Sequence, residues 1–196
     1  MLRSSKLFLM ELLKINSTPK IVRYFLLIFL GTVALTISAK LRIPFYPVPM
    51  TMQTFVVLLI GVLFGWRLGG TIIIFYLLEG IVGLPVFSGA PEKGSGIVYF
   101  FGPTMGYLVG FVFAAMLCGV FKFNKNIILN FCKLILSVSI IYLLGIIWLG
   151  SLIGWDKPVI GLGVTPFLLA ELFKISLLSV IVTLFSDDLS VLKKWI

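Results

Sequence analysis

Glu171 and Lys174 stand three residues apart in the stretch PFLLAELFKISLL, residues 166–178, with leucine, phenylalanine and isoleucine all around them. On a helix that spacing puts a carboxylate and an ammonium on one face, close enough to pair. The acid can accept hydrogen bonds from N–H groups, and the ammonium can donate to a carbonyl or carboxylate oxygen. Each charge at the centre of a bilayer costs about 2.5–3.5 kcal/mol on insertion scales, so such residues face a bundle interior or a wet cavity. The pair therefore reads either as a self-neutralising packing device or as part of a ligand site.

The elements that must position the pair are apolar helices. Of the 196 residues, 60% are hydrophobic and only 12% charged, with a mean hydropathy of +1.19. A soluble domain devotes roughly a quarter of its residues to charge, and a membrane span needs about 20 apolar residues. Several such runs fill the chain, which reads as an all-α integral membrane protein. Proline and glycine clusters divide it into six spans, at about 20–41, 51–65, 67–85, 102–121, 127–149 and 164–185. The prolines at 44, 47 and 49 make RIPFYPVPM a non-helical connection, GWRLGG a tight turn, and 86–101 a loop rich in glycine and serine. Thr18-Pro19 offers a helix start. Residues 1–18 read as an interfacial or cytoplasmic segment, because Glu11 and Lys14 interrupt KLFLMELLKI and spoil it as a signal peptide. Residues 187–196 form a cytoplasmic tail.

An even number of spans puts both termini on one side. That side holds most of the Lys and Arg, from Arg3 to Lys194, whereas the other holds Lys40, Arg42, Lys93 and Lys157. The positive-inside rule makes the first side cytoplasmic. The net charge of +9 is thus topological, since no basic cluster with interleaved aromatics suggests nucleic acid. The chain has no histidine, which excludes imidazole catalysis and His metal ligation, and no metal site is expected. Cys118 and Cys132 lack C-x-x-C spacing and read as small buried hydrophobes. There is no phosphate loop of the form G-x-x-x-x-G-K-[ST]; GAPEKGSG has the wrong spacing. Any ATP-driven movement would need a separate ATPase chain.

With this orientation, Glu171 lies seven residues into the sixth span, roughly 10 Å deep at 1.5 Å per residue. Other polar groups reach a similar depth: Gln53 at the outer end of the second span, Glu79 in the third, Tyr107 in the fourth, Tyr142 and Trp148 in the fifth. Together they outline an outward-facing pocket for a small molecule with an apolar body and a few polar groups. Separately, Gly31, Ala34 and Ser38 form a strip of small side chains on the first span, suited to close helix approach, either within the chain or to a partner.

The stretches AKLRIPFYPVPMTMQT (39–54), YLLEGIVGLPVFSG (76–89), FGPTMGYLVGF (101–111) and GVTPFLLAELFK (163–174) together resemble the BioY family, the biotin-specific substrate-binding components of energy-coupling factor (ECF) transporters. The resemblance covers about residues 30–180. It implies a six-helix subunit of the bacterial plasma membrane that captures biotin from outside with high affinity. Its partners would be a transmembrane coupling protein and two cytosolic ATPases, and it would itself be no enzyme and use no cofactor. Gly31, Ala34 and Ser38 inherit the docking role. The family's acid-x-x-Lys maps onto Glu171, expected to accept a ureido N–H, and Lys174, expected to contact the ureido carbonyl or the valerate carboxylate. Ser88 and Tyr99 belong to an outer lid, 86–101, while Phe87, Tyr107 and Trp148 would pack on the apolar part of the ligand. Two positions depart from the family: the acid is usually Asp, and position 79 is ordinarily apolar, so Glu79 inherits no role. A stand-alone proton-coupled carrier, with Glu171 or Glu79 as proton site, is the alternative.

Overall fold

The computed structural model describes residues 19–43, 46–92, 94 and 96–189; the N-terminal segment 1–18 and most of the tail lie outside them. Helix α1, Lys20–Lys40, has Pro19 as its N-cap residue, one place before the first-turn position expected of it, and Thr18 lies outside the described residues. The proline-rich connection that follows is non-helical and closes a two-stranded antiparallel ladder, β1 Arg42–Ile43 against β2 Met50–Thr51. This small ladder is the one departure from an all-α chain among the described residues.

Helix α2, Gln53–Ile81, takes up both the second and the third sequence-predicted runs. Gly65 inside it has φ 74° and ψ −179°, a conformation that only glycine adopts without a steric penalty. A straight helix would separate residues 53 and 76 by roughly 34 Å, yet Gln53 Nε2 donates to Tyr76 Oη at 2.8 Å. The chain therefore folds back at Gly65 into a hairpin of two helical arms. Gly119 makes room for the corner, because a Cβ there would lie 2.3 Å from the Trp66 nitrogen.

Residues 96–101 wind into a 3-10 helix instead of an open loop, and α3 follows at Met105–Val120. Helix α4, Ile127–Ile153, is capped by the Asn126 side chain, which accepts from Leu129 N at 3.0 Å. It runs four residues past its expected end, to Gly154 at φ 94°. A short helix α5, Val159–Gly163, precedes the last expected run, which itself divides into a 3-10 turn at Thr165–Phe167 and α6, Leu168–Leu184. Pro166 accounts for the division, since its ring prevents a continuous helix. Glu171 consequently sits in the first turn of α6.

The packing order is α1 on α2, α2 on α3, α3 on α4, and α4 on α6. By length and composition, four helical stretches of the described residues suit a membrane: Lys20–Lys40, Gln53–Ile81, Ile127–Ile153 and Val159–Leu184. Large exposed side chains such as Phe25, Phe29, Leu169 and Phe173 cover the outside of the bundle, as lipid-facing surfaces require. Cys118 is buried as expected and points its thiol at Leu58 O, whereas Cys132 is exposed on α4. That corrects its reading as a buried hydrophobe: a thiol is apolar enough to sit on a surface meant for lipid.

Candidate functional site

The site is built at the end of the bundle that carries the β1–β2 ladder. The ladder delivers the backbone carbonyl of Thr51, and the next residues, Gln53 and Thr54, open α2 and are buried. Helix α6 brings Glu171 and Lys174, 4% and 6% exposed, up against them.

Their pairing is dense. Lys174 Nζ lies 2.8 Å from Glu171 Oε2 and donates to Thr54 Oγ1 at 2.6 Å and to Thr51 O at 3.1 Å. An ammonium has three protons, so every one is committed. Glu171 Oε2 also accepts from Thr54 Oγ1 at 3.1 Å and from Tyr142 Oη at 3.0 Å. The other carboxylate oxygen, Oε1, is buried with no hydrogen-bond partner. A buried acceptor left unmade costs about 1–3 kcal/mol and more when charged, so this oxygen marks the place where a donor is missing.

Beside it lies a cavity of about 60 Å³, lined by residues that include Thr54, Ser88, Tyr99, Tyr107, Tyr142 and Glu171. Ser88 Oγ is the second buried polar atom on this lining without a partner. Thr51, Gln53, Thr104 and Lys174 complete its polar side, and apolar walls come from residues such as Leu108, Phe111, Ile141 and Phe167. A space of this size holds water, whereas a bicyclic ligand enters only if the walls or the loop above give way.

Tyr107 sits against Gly145, where a Cβ would come within 2.3 Å of the ring, and donates to Gly163 O at 2.8 Å. Its ring meets Tyr142 edge-on at 6.1 Å. Gln53 lines the cavity and is held by Tyr76, whose hydroxyl donates in turn to Val86 O at 3.0 Å. One chain of hydrogen bonds thus ties both arms of α2 to the start of the 86–101 loop.

Three expected site residues do not line the cavity. Phe87 points inward onto Gly80 and packs among Tyr76, Tyr99 and Phe100; it supports the loop from below. Trp148 lies over Gly106 and donates its indole N–H to Gly102 O at 2.9 Å, fastening the chain just before α3. Glu79 stands half-buried on α2, one turn beyond Tyr76, away from the lining.

The small-residue strip also divides. Gly31 is buried against Ile72, which a Cβ would meet at 2.5 Å, and Ser38 turns inward and donates to Leu35 O. Only Ala34 is exposed, so a helix arriving from outside would meet Ala34 and not its two neighbours. Gly31 and Ser38 serve packing within the chain, which corrects their assignment to docking.

Several participants escaped the sequence reading. Thr54 falls inside the PMTMQT motif without having been singled out. Lys40 and Arg42 were counted only as minority charges on the outer side. Lys40 Nζ donates to Phe87 O at 2.9 Å and Ala90 O at 2.8 Å, while Arg42 reaches Ser88 O and pairs with Glu92 at 2.8 Å. Both cations hold the loop over the cavity. Their place on the side that the expected orientation leaves poor in Lys and Arg was the available signal.

The comparisons agree with one another. A family model described as the BioY family matches residues 9–190. A probable biotin transporter BioY of Pyrococcus horikoshii is 35% identical over 143 residues, 72% of this chain and 83% of that protein. A probable biotin transporter BioY of Rickettsia prowazekii is 32% identical over 175 residues, 88% of each chain. The fold matches a 2.1 Å crystal structure of the S-component for biotin from an ECF-type ABC transporter. That match has a TM-score of 0.70 and 25% identity, and covers 85% of this chain and 92% of the other.

Proposed function

The chain belongs to the BioY family, and on that premise we propose that it is the substrate-binding membrane subunit of an ECF-type transporter, taking up biotin. The observation that carries the ligand assignment is the unpartnered, buried Glu171 Oε1 beside the cavity. A cyclic urea presents N–H donors, and such a donor satisfies this oxygen without disturbing the three partners already on Oε2. Lys174 stays paired with the carboxylate and can turn one proton from Thr51 O to the ureido carbonyl. Ser88 Oγ supplies the second polar contact, and Tyr107, Tyr142 and the apolar walls enclose the rings. No bond is made or broken, so the activity is transport and not catalysis.

The hairpin at Gly65 supports a six-crossing arrangement. Counting its two arms separately, α1, α3, α4 and α6 bring the crossings to six, with both termini in the cytoplasm and the loop 86–101 as an outer lid. The membrane would be the bacterial plasma membrane. Energy would come from a transmembrane coupling protein and two cytosolic ATPases, docking along α1 at Ala34. High affinity is expected because the polar groups are held in place before the ligand arrives.

Calorimetric titration of the detergent-purified protein tests the assignment, using biotin and an analogue lacking the ureido carbonyl oxygen. Tight binding of biotin with at least tenfold weaker binding of the analogue, about 1.4 kcal/mol, is the expected result. No heat with biotin from a folded sample would remove biotin as the substrate.

A further inference from the structure

Tyr76 stands on the second arm of α2 and is fully buried, yet it does not line the cavity. Its ring meets Phe87 edge-on at 5.4 Å, which accounts for its bulk but not for its hydroxyl. That hydroxyl lies between two groups, Gln53 Nε2 at 2.8 Å and Val86 O at 3.0 Å.

A hydroxyl has one proton, and a backbone carbonyl can only accept. The Tyr76 proton therefore belongs to Val86 O, and toward Gln53 the hydroxyl can only accept. A side-chain amide can turn either its nitrogen or its oxygen to a neighbour; here the nitrogen alone fits. Thr51 fixes the other end in the same sense. Its hydroxyl accepts from Gln53 N at 3.3 Å, which leaves its proton for Gln53 Oε1, also at 3.3 Å. Of the two protons on Nε2, one goes to Tyr76 and the other has no acceptor among the described residues. Gln53 is buried and lines the cavity. Its second proton is thus a donor without an acceptor, on the same lining where Glu171 Oε1 is an acceptor without a donor.

We infer that Tyr76 is a positioning residue for ligand selection: its hydroxyl holds the Gln53 amide with the nitrogen leading, so that the cavity offers a donor to the carbonyl oxygen of a cyclic urea. The inference rests on biotin being the ligand. A carbonyl oxygen has two lone pairs, so Gln53 and Lys174 can serve it together. Without the hydroxyl the amide is free to turn over and present its own oxygen, and the discrimination between an acceptor and a donor at that place is lost. Val86 opens the 86–101 loop, so the same hydroxyl makes the orientation of the amide depend on the loop being seated.

Biotin and its 2-imino analogue, which carries an N–H group in place of the ureido oxygen, test this by calorimetric titration of wild type, Tyr76→Phe, Gln53→Leu and the double variant. Tyr76→Phe keeps the ring and its packing. It is expected to weaken biotin about fivefold while leaving the analogue nearly unmoved, so that the preference for biotin shrinks. On the Gln53→Leu background the same substitution should add no further loss. An equal loss for both compounds, or losses that add in the double variant, overturns the inference and leaves the hydroxyl as a tie between helix and loop. Equal binding of the two compounds by wild type overturns it as well, with biotin standing as the ligand. Should Tyr76→Phe fail to fold, Gln53→Leu alone must reduce the preference, and an unchanged preference overturns the inference. Binding of neither compound to folded wild type removes the ligand assignment itself.

Discussion

Helices α4 and α6 enclose polar side chains at both ends of their contact, and the two ends treat them differently. At the end away from the ladder, Asn130 is fully buried and fully partnered. Its amide donates to Asn124 O at 2.6 Å and to Thr183 Oγ1 at 2.9 Å, and its oxygen accepts from Asn124 N at 3.3 Å. Thr183 passes its own proton to Ser179 O at 2.7 Å. At the ladder end, Glu171 has three partners on one oxygen and none on the other. A closed network joins helices; an open one beside a cavity awaits a ligand. Ser186 Oγ is also buried without a partner, but it does not line the cavity.

The largest effect is expected from Lys174→Met. It leaves Glu171 buried without a counter-charge, which typically costs 3–5 kcal/mol, roughly what breaking a buried pair costs elsewhere. Biotin affinity should fall at least tenfold and the detergent-solubilised protein should melt at a lower temperature. An unchanged titration would erase the distinction between the two ends. Asn130→Ala should lower the melting temperature, by the equivalent of about 1–3 kcal/mol for the polar groups it orphans, with biotin affinity unmoved. A weakened titration would mean that the closed network also serves the ligand. The smallest effect belongs to Tyr142→Phe, which removes one of the donors on Glu171 Oε2. A loss of about 1 kcal/mol in binding, a few-fold in Kd, is expected from calorimetry, and a gain would mean that Tyr142 competes with the ligand.

Glu171 and Lys174 were legible in the sequence because a charge in an oily helix is costly wherever it points, and only a cavity or a partner offsets that cost. The runs themselves were legible through their length and their proline and glycine punctuation. The facing of aromatics was not. Phe87 has no polar group to betray its direction, and the one indole N–H of Trp148 goes to Gly102 O, a backbone carbonyl that no spacing announces; the glycines opposite them, Gly80 and Gly106, leave room for the side chains. The loop pins were hidden for another reason: Lys40 and Phe87 are 47 residues apart, and nothing local ties a helix-end lysine to a distant carbonyl. Gly31 and Ser38 show the limit of spacing, since a strip of small residues looks the same whether the helix it accommodates is its own or a stranger's.

The reversal at Gly65 bears on the thickness of the surrounding lipid. The two arms it creates, 53–64 and 66–81, rise only about 18 and 24 Å at 1.5 Å per residue, and α3, Met105–Val120, rises about 24 Å. Each falls short of a hydrocarbon layer of roughly 30 Å, while α4, which carries Tyr142, exceeds it. As the separate crossings proposed above, such short rods beside a long one would draw the acyl chains around them into a thinner layer.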